Sequence, residues 1–253
     1  MSSLTYDDIQ KEAIVQAITN PLFILTGGPG TGKTTVINGI IAVYAILHKI
    51  DLTGNREECP VLLAAPTGRA ARRMNELTGL PSATIHRHLG LVEGQEESYR
   101  DDYLDADFII VDEFSMVDTW LANQLFQNIS SQTQVLIVGD AEQLPSVSPG
   151  QVLADLLKID KLPSITLERI YRQSDDSTIV TLASQLRQGA LPSDFREIKA
   201  DRSSCEAQNE QIPALIERIV GAAIKSGIPA NDAQSLAPMS RGDVGSEPVP
   251  YTQ

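Results

Sequence analysis

Two cysteines, Cys59 and Cys205, are all that this 253-residue chain offers. They are far apart and in no metal-ligand spacing, which argues against a disulfide framework or a zinc site and fits a reducing cytosol. No apolar run reaches the roughly 18–20 residues that a membrane span needs. The opening MSSLTYDDIQ lacks a basic stretch followed by an apolar one, so a secretory signal is not expected and a cytoplasmic location is. There is no low-complexity tract and no internal repeat. Nor is there an excess of basic charge: 20 Lys and Arg stand against 33 Asp and Glu, a balance of −13. A generic nucleic-acid coat protein should be basic. The acids are uneven, however. Nine lie between Glu93 and Glu113 with one base, Arg100. From Ala65 to His88 the sign reverses, with Arg69, Arg72, Arg73 and Arg87 against Glu76. Whole-chain charge therefore leaves the partner open.

What the chain does have is a 42% hydrophobic content, enough for a folded core of one or two domains and against disorder. Thr5 is positioned to cap a first helix, with Asp8 three residues on, and Ile9, Ala13, Ile14, Ala17 and Ile18 recur at helical spacing. A strand–turn–helix unit then repeats. Leu22–Thr26 is a short apolar strand before a Gly-rich turn and a helix from Lys33 to about His48. Val61–Ala65 precedes a helix over Thr67–Thr78, and Phe108–Val111 one over Val117–Ile129. Val135–Val138 precedes a helix from about Pro149 to Leu157. Apolar strands alternating with helices predict an α/β fold, a parallel sheet with helices on both faces. The polar, acidic stretch 91–104 breaks the rhythm and reads as an insertion. Residues 1–160 are expected to form the first lobe. A second unit, 161–253, is expected to open with a strand at Ile165–Leu167. Helices over Thr178–Arg187 and Ile212–Lys225 and a strand at Leu236–Met239 follow, too little for a complete sheet domain.

Three strand ends carry chemistry. Gly27-Gly28-Pro29-Gly30-Thr31-Gly32-Lys33-Thr34 fits G-x-x-x-x-G-K-[ST]. Small residues let successive N–H groups turn inward onto phosphate oxygens, at a helix N-terminus that favours anions. Lys33 adds a full charge near the β- and γ-phosphates, and Thr34 offers a hydroxyl to magnesium. With Thr35, these residues are the candidate cradle for ATP and Mg2+. Phe108–Val111 delivers Asp112 and Glu113, a Walker B arrangement: Asp112 for the metal shell, Glu113 to orient and deprotonate a water. Gly139-Asp140-Ala141-Glu142-Gln143 ends a third strand, where Gln143 is a neutral donor suited to sensing a γ-phosphate.

Taken together, GGPGTGKT, APTGRAARRM, TIHRHLG, VDEFSM, GDAEQLPSVSPG and IYRQ occur in the order and spacing of the superfamily-one helicase motifs. The sequence resembles the RecD-like branch, related to the exodeoxyribonuclease V alpha subunit. The likeness is dense over residues 5–173 and thin to LAPMSRGDVG. It implies a RecA-like P-loop NTPase lobe with part of a second, an ATP-driven DNA motor of repair and recombination. It implies single-stranded DNA as partner and, for the parent protein, recombination-complex subunits. By the same resemblance Gln10 reads the adenine edge and Arg172 meets the γ-phosphate. Thr67, Arg69, His86, Pro145 and Ser146 touch DNA, and the 91–104 insertion stands where the family carries a duplex-splitting hairpin. The chain departs from the family at Phe114, Glu142 and Ser148, where a small residue, an aspartate and a glycine are usual. The family's later motifs are missing, so an excised motor fragment is expected, binding ATP weakly and not unwinding DNA alone. Two rival readings are a P-loop phosphotransferase and a catalytically silent nucleotide switch. No separate metal site for phosphodiester cleavage is evident.

Overall fold

The computed structural model describes residues 5–52, 59–91, 103–168, 177–187 and 189–236. The chain divides into two compact units, Met1–Asp176 and Ser177–Gln253.

The first unit is built on six strands: β1 (Leu22–Gly27), β2 (Val61–Ala65), β3 (Ser82–Thr84), β4 (Phe108–Val111), β5 (Gln134–Gly139) and β6 (Ser164–Leu167). They lie in the order β3-β2-β4-β5-β1-β6, and every pairing is parallel. All six C-terminal ends therefore fall on one edge. Strand residues alternate between two cores. Phe23, Leu25, Leu63, Phe108, Ile110, Leu136 and Val138 pack on one face. Ile24, Ala64, Ile109, Val111, Val135 and Ile137 pack on the other. Burial on both faces is what makes these strands read as unbroken apolar runs.

The first face is covered by α1 (Asp8–Thr19), α2 (Lys33–His48) and α3 (Gly68–Thr78); the second by α4 (Ile85–Leu89), α5 (Thr119–Gln127) and α6 (Val152–Leu156). The cap of α1 is Asp7, two residues after the expected Thr5. Asp7 and Gln10 close a reciprocal capping box, each side chain accepting the other's backbone N–H. Strand β3 and helix α4 were not expected from the sequence. Ser82–Thr84 is half-buried throughout, so it shows neither alternation nor a continuous apolar run. His88 ties α4 to the sheet, its Nε2 lying 3.0 Å from the carbonyl oxygen of Leu63. Burial of that ring holds its pKa below the usual value, and the Arg87 charge adds to the effect. Helix α5 is shorter than the expected Val117–Ile129, because Asp118 caps it and a 3-10 turn at Phe114–Met116 precedes it.

The sequence reading put the strand at 165–167 at the head of a second unit. It instead pairs with β1, so the first unit extends past residue 160. In the second unit, α7 (Thr178–Arg187) starts at a carboxylate: Asp201 accepts from Ser177 Oγ at 3.0 Å and from the backbone N–H of Thr178 at 2.9 Å. The Thr178 hydroxyl, with these bonds, holds Asp201 down to about 2. Helix α8 (Ile212–Lys225) has a proline in its first turn, where a missing N–H costs nothing. No strand occurs among the described residues of this unit; the expected one at 236–239 falls largely outside them, as do most of the acidic insertion and Arg172. Among the described residues no helix is long and apolar enough to cross a membrane.

Phe108 is wholly buried in the first core and packs against Tyr44 with ring centroids 4.9 Å apart and planes tilted by 40°. Phe108→Ala should cost about 3–5 kcal/mol, read as a lower urea midpoint with an unchanged slope.

Candidate active site

The end of β1 opens a loop that only glycine permits at its first position. A Cβ on Gly27 would stand 2.7 Å from the Leu167 carbonyl oxygen of β6 and 2.8 Å from Thr31 Oγ1. Gly30 and Gly32 take left-handed φ values of 81° and 90°, which glycine adopts without steric cost. These turns bring the loop back over the N-terminus of α2. Its left-handed cap, Gly32, supplies no side-chain partner to the first helical N–H groups, the arrangement that suits an incoming anion. The Lys33 ammonium donates to the carbonyls of Gly27 and, at 3.0 Å, Gly28. Thr31 is buried and its hydroxyl donates to Gly28 O at 2.8 Å, so it braces the loop from within.

Two strands away, β4 delivers the acids. Asp112 Oδ1 accepts from the Glu113 N–H at 2.8 Å. Glu113 has a left-handed φ of 53°, uncommon for a residue with a Cβ and a recurring mark of functional sites. That conformation turns its side chain out of the strand's alternation. Close packing fixes the turn: a Cβ on Gly139 would lie 3.2 Å from the Ser115 backbone nitrogen. At the end of β5, Gln143 Oε1 accepts from Ser115 Oγ at 3.1 Å, linking the second and third strand ends.

One cavity of about 390 Å³ unites them, lined among others by Lys33, Thr34, Asp112, Glu113 and Gln143. Burial pushes Asp112 up to about 6 and the neighbouring Glu113 charge adds to this; the Glu113 N–H and the Lys33 charge act against it. A half-buried carboxylate that lines one cavity with the threonine Thr34 fits magnesium, which takes one or two protein ligands and keeps several waters. Gly28, Pro29, Gly30, Gly32, Thr34 and Thr35 line the cavity as the sequence predicts. Thr31 and Gln10 are not among its lining residues. Gln10 is buried and its Oε1 accepts from the Asp7 N–H.

Arg73 is the residue that sequence reasoning left aside. It counts there only towards the basic stretch from Ala65 to His88, yet it lines the same cavity with Ala70, Met74 and Leu77 from α3. Its spacing of three from Ala70 and four from Leu77 was the available signal. The candidate DNA residues follow other strand ends along the same edge. Thr67 caps α3, its hydroxyl accepting from the Ala70 N–H; Arg69, His86 and Pro145 are exposed. The Ser146 hydroxyl donates within its own loop, to Ser148 O at 2.6 Å.

A family model described as an AAA domain matches residues 10–149, from helix α1 through all three chemical strand ends. The chain belongs to this AAA-domain family. Among curated proteins, this RecD-like superfamily-one chain is 33% identical over 251 residues to the ATP-dependent RecD2 DNA helicase of Deinococcus radiodurans, covering 96% of the chain and 31% of that protein. It is 36% identical over 200 residues to the RecBCD enzyme subunit RecD of Mycolicibacterium smegmatis, covering 71% of the chain and 35% of the subunit. The chain thus spans about a third of the length of these relatives. Among solved structures it matches the Pif1 helicase of Candida albicans with a TM-score of 0.60 at 22% identity, over 87% of this chain and 55% of that one. It also matches Bacteroides Pif1 bound to ssDNA with a TM-score of 0.55 at 21% identity, over 89% and 57% of the two chains. These likenesses establish the P-loop NTPase fold.

Asp112 binds its proton more tightly in the folded RecD-like chain, near 6, than at its ordinary 3.8. The stability this adds to the metal-free protein is full below about pH 4 and is lost as pH rises through about 6. Asp112→Asn, measured by urea unfolding without magnesium, should therefore be more stable than wild type at pH 8 by up to about 3 kcal/mol, with the gap closing towards pH 4. A gap independent of pH would assign the effect to packing.

Proposed function

We propose that this chain carries the ATP-hydrolysing core of a RecD-like DNA helicase motor, acting on single-stranded DNA in repair or recombination. The observation that carries the reading is the single cavity shared by Lys33, Thr34, Asp112, Glu113 and Gln143. A cation, a hydroxyl, two carboxylates and an amide around one hollow are what phosphoryl transfer to water requires.

The nucleotide's phosphates lie on the loop N–H groups and the α2 N-terminus, with Lys33 exchanging neutral carbonyl acceptors for charged phosphate oxygens. Thr34 and Asp112 would hold magnesium, which would supply neutralisation of the phosphate charge. Glu113 accepts the proton of the attacking water as its oxygen bonds to the γ-phosphorus, and the bond to the β-phosphate oxygen breaks to release ADP. Gln143, held through Ser115, reports the γ-phosphate to the third strand end. Arg172 is the candidate for a further charge there. Residues of the second unit are read as the beginning of a second RecA-like lobe; the similarity to RecD2 along 96% of the chain supports this. The names of the relatives support the partners: a RecBCD subunit for an assembly with other recombination proteins, and an ssDNA-bound Pif1 for the strand.

Two variants separate hydrolysis from a silent nucleotide switch. Lys33→Ala should weaken MgATP binding at least tenfold in a fluorescent-nucleotide titration. Glu113→Gln should keep that binding within about threefold while lowering turnover by about 10²–10⁴, the usual contribution of a general base. Turnover unchanged in Glu113→Gln removes this residue from the mechanism.

A further inference from the structure

We propose that Trp120 is a base-stacking platform for single-stranded nucleic acid, joining His86 on one side to the Pro145–Ser146 loop on the other in one track. The inference rests on the DNA-motor reading above and adds to it a residue and a mode of contact.

Trp120 is the second residue of α5, and its indole is 53% exposed, whereas Phe114 just before it is wholly buried. Its neighbours Leu121 and Ala122 are buried, and Asp118, Thr119, Asn123 and Ser148 set polar groups beside the ring. A protein-docking hot spot is embedded in contiguous apolar contacts; a single aromatic face rimmed by polar groups suits a nucleobase, since every base has a π-face.

Its position supports this. The ring centroid lies 6.5 Å from that of the exposed His86, the planes 34° apart. On the other side, the first turn of α5 is bonded to the loop after β5: the Thr119 N–H donates to Pro149 O at 3.2 Å. A Cβ on Gly150 would lie 2.9 Å from the Thr119 backbone nitrogen, so the contact is backbone to backbone. Ser146 Oγ reaches Gly150 O at 3.2 Å in the same loop. Two places that the sequence marks for DNA are thus bridged by one unassigned tryptophan. Beside the indole is an open hollow of about 540 Å³ lined by Asp118, Thr119, Trp120, Asn123, Ser148 and Pro149. Thr119, Asn123 and Ser148 offer hydrogen bonds to a base edge. The Asp118 carboxylate is committed to the α5 cap, accepting from the Leu121 N–H at 2.7 Å. The exposed Arg87 next to His86 supplies positive charge for the backbone.

Trp120 is the only tryptophan of the chain, so its emission reports on this site. Titration of the whole chain with a dT oligonucleotide at low salt should quench it. Trp120→Leu should weaken binding of a labelled oligonucleotide roughly tenfold, with Trp120→Phe within about threefold of wild type. MgATP binding by Trp120→Leu should be unchanged, which checks its fold. Oligonucleotide binding with unchanged emission and unchanged affinity in Trp120→Leu overturns the platform and leaves the motor reading standing. Equal quenching by heparin, a polyanion without bases, also overturns stacking. Failure of the wild-type chain to bind any oligonucleotide sinks the DNA reading together with the platform.

Discussion

A partly desolvated carboxylate that shares a cavity with a lysine is the constraint on which the rest of this molecule turns. Asp112 follows the end of β4, half-buried, and desolvation there raises its preference for a proton. Lys33 lines the same cavity because the loop after β1 folds back, and β6 sets its Leu167 carbonyl against the first residue of that loop, where a Cβ has no room. Remove the strand, the glycine or the sheet order and the two charges no longer share a cavity. Parallel pairing does the remaining work, by placing every strand end that carries a functional group on one edge.

Much of this was legible in the residues because the strands are buried on both faces. Continuous apolar runs fix β1, β2 and β4, and the long apolar stretch after Lys33 gives α2 its observed bounds, Lys33–His48. Legibility fails where burial is partial. Ser82–Thr84 pairs with β2 through backbone bonds alone, and three small half-buried side chains carry no periodic signal. The strand at 164–167 was recognisable as a strand, but sequence order could not say that it returns to the flank of β1. Helix ends moved by a residue or two wherever two capping side chains competed, as with Thr5 and Asp7.

The site shows the same division. Its motif residues were readable because phosphate and metal chemistry tolerate few side chains at those places. Gln10 was assigned from resemblance alone, and its amide oxygen accepts the Asp7 N–H in the helix cap. Arg73 and Trp120 went unassigned for other reasons: Arg73 stands inside APTGRAARRM with no role of its own there, Trp120 stands outside every motif, and only the packing of α3 beside α2 and of α5 beside the loop after β5 gives them company.

Helix α3 has a mechanical meaning. Its first turn begins at Thr67 on the outer rim, while Arg73 and Leu77, one to three turns on, form part of the nucleotide hollow. The Leu77 carbonyl is also clasped by Asn38 of α2, at 3.2 Å. An α-helix held by its own hydrogen bonds does not compress over the roughly 9 Å that six residues span. On the motor reading proposed above, a displacement at its outer tip is thereby carried along the helix to the wall of that cavity.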